Sequence, residues 1–102
     1  MHTFVAAKQE ALTRLCQQHG VRQLHLFGSA ANGNFRETDS DLDFLVEFIP
    51  CAPHEHYEQY FGLIEDMEKL FGKPVELVEA SALRNPYFIQ QVDEDRQLLY
   101  AA

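Results

Sequence analysis

Only two cysteines, Cys16 and Cys51, occur among the 102 residues. That is too few for a disulfide framework and lacks the paired spacing of a zinc site, so both are expected as reduced thiols. Bases are scarce as well: 8 Lys and Arg stand against 16 Asp and Glu, a formal charge of -8. A chain so poor in cations is not expected to grip a nucleic-acid backbone, which needs clustered Lys and Arg. What its acidity favours is a cation or a basic protein partner. Long hydrophobic runs are missing too, since none approaches the ~20 residues of a bilayer span. Lys8 and Glu10 interrupt the stretch where a signal peptide would be apolar, so a cytoplasmic location without membrane association is expected. No repeat, linker or low-complexity tract divides the chain, and residues 1–102 are read as a single domain. With 46% hydrophobic residues it can build one core, and disorder is not expected.

Hydrophobic spacing divides the chain into helices and strands. From Thr3 to His19, Phe4, Val5, Leu12, Leu15 and Cys16 fall on one helical stripe, and Gly20 supplies a stop. Gln23 to Phe27 alternates as a strand that ends at Gly28-Ser29, and Ser29 to Asn32 is expected to open a short helix closed by Gly33. Asp41 to Ile49 reads as a second strand, with Leu42, Phe44, Val46 and Phe48 on one face and Asp41 and Asp43 on the other. His54 to Phe71 is the next helix, and its stripe assigns Tyr57, Tyr60, Phe61 and Ile64 to the core. Gly72 and Pro74 end it. Pro74 to Val78 is a third short strand, Ala80 to Val92 a helix interrupted at Asn85-Pro86, and Gln97 to Tyr100 a last short strand. This order belongs to the α/β class.

Three elements carry chemistry. At Gly28-Ser29 the glycine lets the backbone turn tightly and a ligand approach, and a helix starting at Ser29 would offer its hydroxyl and free N–H groups to an anion. The same serine also suits a plain helix cap. Asp41 and Asp43, spaced by two, share one strand face about 6.5–7 Å apart. Their repulsion is relieved by a cation or by water, and Mg²⁺ suits such a pair because it binds through one or two carboxylates plus substrate phosphates. A solvated strand end is the alternative. Glu76 sits in the third strand between Val75 and Leu77, where an ionised side chain needs a partner or a metal. Glu79 falls at the strand end, where exposure is expected, and His54-x-His56 reads as a solvated helix start.

The run Leu26-Phe27-Gly28-Ser29, then Gly33, then Ser40-Asp41-Leu42-Asp43 followed by Phe44, Leu45 and Val46, resembles the signature of the DNA polymerase β-like nucleotidyltransferase superfamily. In particular it is similar to the minimal nucleotidyltransferase (MNT) domains that act as antitoxins of HEPN toxins. The sequence departs from that pattern in three places. The spacer between Ser29 and Asp41 is one residue longer, Ala30, Ala31 and Asn32 stand where a basic residue is common, and Glu76 stands where Asp is frequent.

The resemblance implies a small α/β (α+β) nucleotidyltransferase fold, a mixed sheet of three to four strands flanked by helices. It implies that Gly28 and Ser29 position a nucleoside triphosphate and that Asp41, Asp43 and Glu76 hold two Mg²⁺ ions and form the catalytic centre. The implied reaction is transfer of AMP from ATP to a hydroxyl, a tyrosine's, of a HEPN ribonuclease toxin, in a type VII-like toxin–antitoxin pair. A rival reading is a non-catalytic antitoxin that masks the toxin by binding. Transfer to a small antibiotic or a nucleic-acid end is disfavoured, because no added domain and no basic surface is present. Association with itself or with the partner is left open. Arg14 to His19 matches the short R-x4-H pattern of HEPN ribonucleases, but that fold is all-helical and this chain has strands. His19 is assigned instead to stabilising the end of the first helix.

Overall fold

The alternation of helices and strands is realised in the computed structural model, which describes residues 3–28, 31 and 41–102. The described elements are α1 (Thr3–Ala6), α2 (Gln9–Gln18), β1 (Val21–Phe27), β2 (Leu42–Phe48), α3 (Pro53–Phe71), β3 (Val75–Glu79), α4 (Pro86–Asp95) and β4 (Gln97–Ala101). A single 3-10 turn, Ala80–Ala82, follows β3. The strands form one mixed sheet in the order β3-β2-β1-β4. β1 runs antiparallel to β2 and to β4, while β2 and β3 are parallel. Parallel neighbours cannot be joined by a tight turn, and α3 supplies the long crossover they require.

The sheet is covered on both faces. Leu24, Leu26, Leu42, Phe44, Val46 and Leu77 pack against Leu12, Cys16, Leu63, Met67 and Phe71 of α2 and α3 to form the main core. Phe27 and Leu45 point the other way and meet Val92 of α4, with Phe88, Leu83 and Val78 around them. The period-two alternation of β2 therefore buries both sides of that strand, with the aspartates on the α4 side.

Several boundaries differ from the sequence reading. The first helix is two pieces. One turn after Val5 the stripe offers Lys8 and Gln9 instead of an apolar residue, and Gln9 Nε2 donates to the Leu99 carbonyl at 2.6 Å, fixing the start of α2 on β4. The stretch after β3 is also split. Leu83 and Asn85 are extended, Pro86 occupies the first turn of α4, and Asn85 Oδ1 accepts from the N–H of Tyr87 at 3.0 Å and of Phe88 at 3.4 Å.

Tyr57 and Phe61 do not enter the core; they are 67% and 51% exposed. His56 and Tyr60 turn toward β3, meeting Glu79 Oε1 and the Leu77 carbonyl, and Leu63, Met67 and Phe71 lie over the sheet. Tyr57 and Phe61 each follow a strand-facing residue by one position, about 100° further round the helix, and so turn off the sheet.

The expected short helix at Ser29–Asn32 and its Gly33 stop lie outside the described residues except for Ala31, which is helical. Both cysteines are free thiols, and burial pushes the Cys16 thiol up to about 12. Among the described residues no helix is long and apolar enough to cross a membrane.

Candidate active site

Strand register builds the site. Phe27 of β1 lies opposite Asp43 of β2, and Asp43 lies beside Glu76 of β3, so three neighbouring strands contribute one row. The row sits at the β2 end that follows the Gly28 turn. Gly28 has φ +72°, a conformation that favours glycine, and a Cβ placed there would run into Asp43 Oδ2. Glycine thus answers to two constraints at once, the turn and the space beside the carboxylate. The Ala31 N–H donates to the Gly28 carbonyl at 3.0 Å, as expected where a strand passes into a helical turn. Ser29 lies outside the described residues.

Of the three expected acids, the structure brings Asp43 and Glu76 together and leaves Asp41 just ahead of β2, exposed. Among the described residues, no group of three or more His, Cys, Asp and Glu side chains is gathered as a metal site. Glu76 is not submerged in an apolar strand. It is exposed on the edge strand, on the face opposite to Leu77, with Asp43 as its neighbour.

The Asp43 carboxyl is pushed up to about 7. Burial is the main cause, followed by a hydrogen bond to Glu76 and the negative charges of Glu76 and Asp41. Two acids are set side by side here, where a cation would relieve their repulsion. Hard oxygen donors held at like charge fit Mg²⁺, which takes one or two carboxylates and completes its shell from water and phosphate. Asp43 and Glu76 are donors of that kind.

Sequence reasoning missed the far wall. Phe88, Gln91, Val92 and Asp95 of α4 face Phe27, Gly28, Asp43 and Glu76 across a cleft of about 310 Å³. Phe88 meets Phe27 edge-on with ring centroids 6.0 Å apart. The signal was present in the spacing 88, 91, 92 and 95, one face of a helix, once the helix is started at Pro86. The larger cavity, about 430 Å³, is elsewhere, at the opposite end of β2.

Two pairings outside the cleft also differ from expectation. Glu79 is not free; His56 Nε2 bonds its Oε1, so neither His56 nor Glu79 is merely solvated. Arg14 and His19 have separate partners, Glu10 at 2.7 Å and Asp66 at 2.8 Å. His19 thereby ties the end of α2 to α3, beyond any effect on its own helix.

The nucleotidyltransferase domain family matches residues 8–99. The protein adenylyltransferase MntA of Thermococcus cleftensis is 38% identical over 73 residues, 70% of this chain and 68% of that protein. A solved structure described provisionally as a minimal nucleotidyltransferase is 34% identical, covers 95% of each chain and superposes with a TM-score of 0.76. A structure of a tri-AMPylated Shewanella oneidensis HEPN toxin in complex with an MNT antitoxin shares the fold, with 17% identity, a TM-score of 0.63 and coverage of 95% of this chain and 72% of that one.

Proposed function

The chain belongs to the nucleotidyltransferase domain family, and on that premise we propose that it transfers AMP from ATP to a tyrosine hydroxyl of a HEPN ribonuclease toxin in the cytoplasm, acting as one domain and as that toxin's antitoxin. The observation that carries this reading is the row Phe27–Asp43–Glu76, in which a carboxyl is held near neutrality at the mouth of a cleft open beside Gly28. The relative named a protein adenylyltransferase supports the reaction, and the AMPylated toxin bound to an MNT antitoxin supports the partner.

The chain's own residues divide the work. Gly28 leaves room for a triphosphate to lie against Asp43, and Ser29 holds a phosphate through its hydroxyl and backbone N–H. Asp41, Asp43 and Glu76 would hold Mg²⁺, which supplies neutralising charge to the phosphates and favours ionisation of the attacking hydroxyl. In the transfer the hydroxyl oxygen bonds the α-phosphorus, the bond to the β-phosphate oxygen breaks, and pyrophosphate leaves with its electrons. The hydroxyl proton passes to the Glu76 carboxylate. The wall formed by Phe88, Gln91 and Asp95 bounds the space in which the acceptor meets the phosphate.

The test is transfer of label from α-labelled ATP to the HEPN toxin in Mg²⁺. Wild-type protein should label the toxin, and the Asp41→Ala/Asp43→Ala variant should not; label persisting in that variant rules out the site. Masking of the toxin by binding alone is a second reading, favoured by the apolar surface that α3 exposes outside the carboxylate cleft. Under it, the same variant would still protect cells from the toxin.

A further inference from the structure

The early turns of α3 form a surface that the cleft does not use. Tyr57, Phe61 and Ile49 are 67%, 51% and 45% exposed. Single exposed apolar residues are ordinary, but these rings are joined. Tyr57 and Phe61 have centroids 4.7 Å apart, and Tyr60 meets Phe61 edge-on at 5.1 Å. Two hollows, of about 430 and 280 Å³, flank this array and share Pro53, His56 and Glu79. Exposed aromatics beside hollows are the usual anchors of protein interfaces.

Charge decides what can cover it. In its first ten residues α3 carries Glu55 and Glu58 and no Lys or Arg, and its one such residue, Lys69, is held by Glu65 at 3.2 Å. A second copy of this chain would bring acid against acid. A protein that binds RNA must carry cations for its phosphates, and such a face complements this rim.

Resting on the function proposed above, we infer that the Tyr57–Phe61 surface is the docking site for the toxin, which presents basic residues around an apolar anchor. The site lies on the α3 side of the sheet, where Tyr60 donates to the Leu77 carbonyl, whereas Asp43 and Glu76 project from the α4 side. The body of the toxin therefore docks on one face, and its acceptor hydroxyl sits on a segment that passes the edge strand to reach the other. Docking and transfer are separable functions of one small chain.

Calorimetric titration of the full-length chain with the HEPN toxin tests this. Tyr57→Asp/Phe61→Asp should weaken binding at least tenfold, whereas Tyr87→Asp, at a still more exposed ring outside the surface, should change it less than threefold. Unchanged melting temperatures establish that the variants fold, and Tyr57→Ala/Phe61→Ala replaces the charged pair if it does not. A loss below tenfold in the paired variant overturns the docking site while leaving the proposed function intact. A wild-type self-association abolished by the same pair, seen by sedimentation, overturns it in favour of a second copy. Failure of wild-type protein to bind the toxin removes the function itself, and that is read without any variant.

Discussion

Glu76 and Glu79 sit three residues apart on the same short strand and meet opposite surroundings. Glu76 faces Asp43 on the α4 side of the sheet; Glu79 faces His56 of α3 on the other. An odd spacing on a strand sends the two side chains to different faces, so each meets its own neighbour. The acid that meets an imidazole is already partnered, and its bond fastens α3 to the sheet edge. The acid that meets another acid leaves a demand for positive charge unmet, and it lies in an open cleft. An acid in a strand is thus read by what the register puts beside it more than by its own burial.

The sharpest way to break this contrast is to neutralise each side in turn. Asp43→Asn should lower toxin labelling by about 1,000-fold or more, the scale on which loss of preorganised charge is felt at phosphoryl centres, while Glu79→Gln should stay within about twofold. Equal losses in the labelling assay would erase the distinction. Next in size is Gly28→Ala. The positive φ and the approach of Asp43 should together cost about 2 kcal/mol, read as a lower denaturation midpoint, and labelling should fall with it.

A third test uses pH. Asp43 in the folded protein holds its proton up to about 7, against 3.8 for the ordinary group. Its contribution is therefore fully present below about pH 4 and is lost as pH rises through 7. In the absence of Mg²⁺, Asp43→Asn should be more stable than wild type at pH 8, by roughly 1 kcal/mol once solvent screening of this half-buried pair is allowed for, and the gap should narrow to less than half by pH 5 and close below about pH 4. Mg²⁺ should raise the wild-type melting temperature more at pH 8 than at pH 5 and leave the variant unmoved. The smallest effect is expected from His56→Gln. Breaking a half-exposed pair should cost about 0.5–1 kcal/mol in a melting experiment and leave labelling unchanged.

Much of this was legible in the sequence, and the reasons for the gaps are physical. The alternation of β2 and its paired aspartates follows from a period of two, which is local. The turn at Gly28 and the acid Glu76 in an apolar strand are local signals too, and the structure brings Asp43 beside both. Local pattern could not show that a Cβ at Gly28 would strike Asp43, because that depends on how two strands are staggered. Nor could it place α4 over the cleft. Phe88 meets Phe27 across 61 positions of sequence, and the Asn85-Pro86 cap that aims α4 was read as an interruption instead of a beginning. The error at Tyr57 and Phe61 has another source. Helical spacing groups residues in a broad stripe but does not show where its buried centre falls; His56, Tyr60 and Leu63 turn toward the sheet, and Tyr57 and Phe61 lie to the side of them.

The two thiols differ as the two glutamates do. Cys16 is buried in the core with its thiol pushed up to about 12, whereas Cys51 is exposed and lines the larger hollow beside the aromatic surface. A maleimide dye at neutral pH should therefore attach to the native chain at one place only, with no engineered handle. Its fluorescence would report arrival of the toxin in real time and independently of catalysis. The chain carries its own position for an optical reporter.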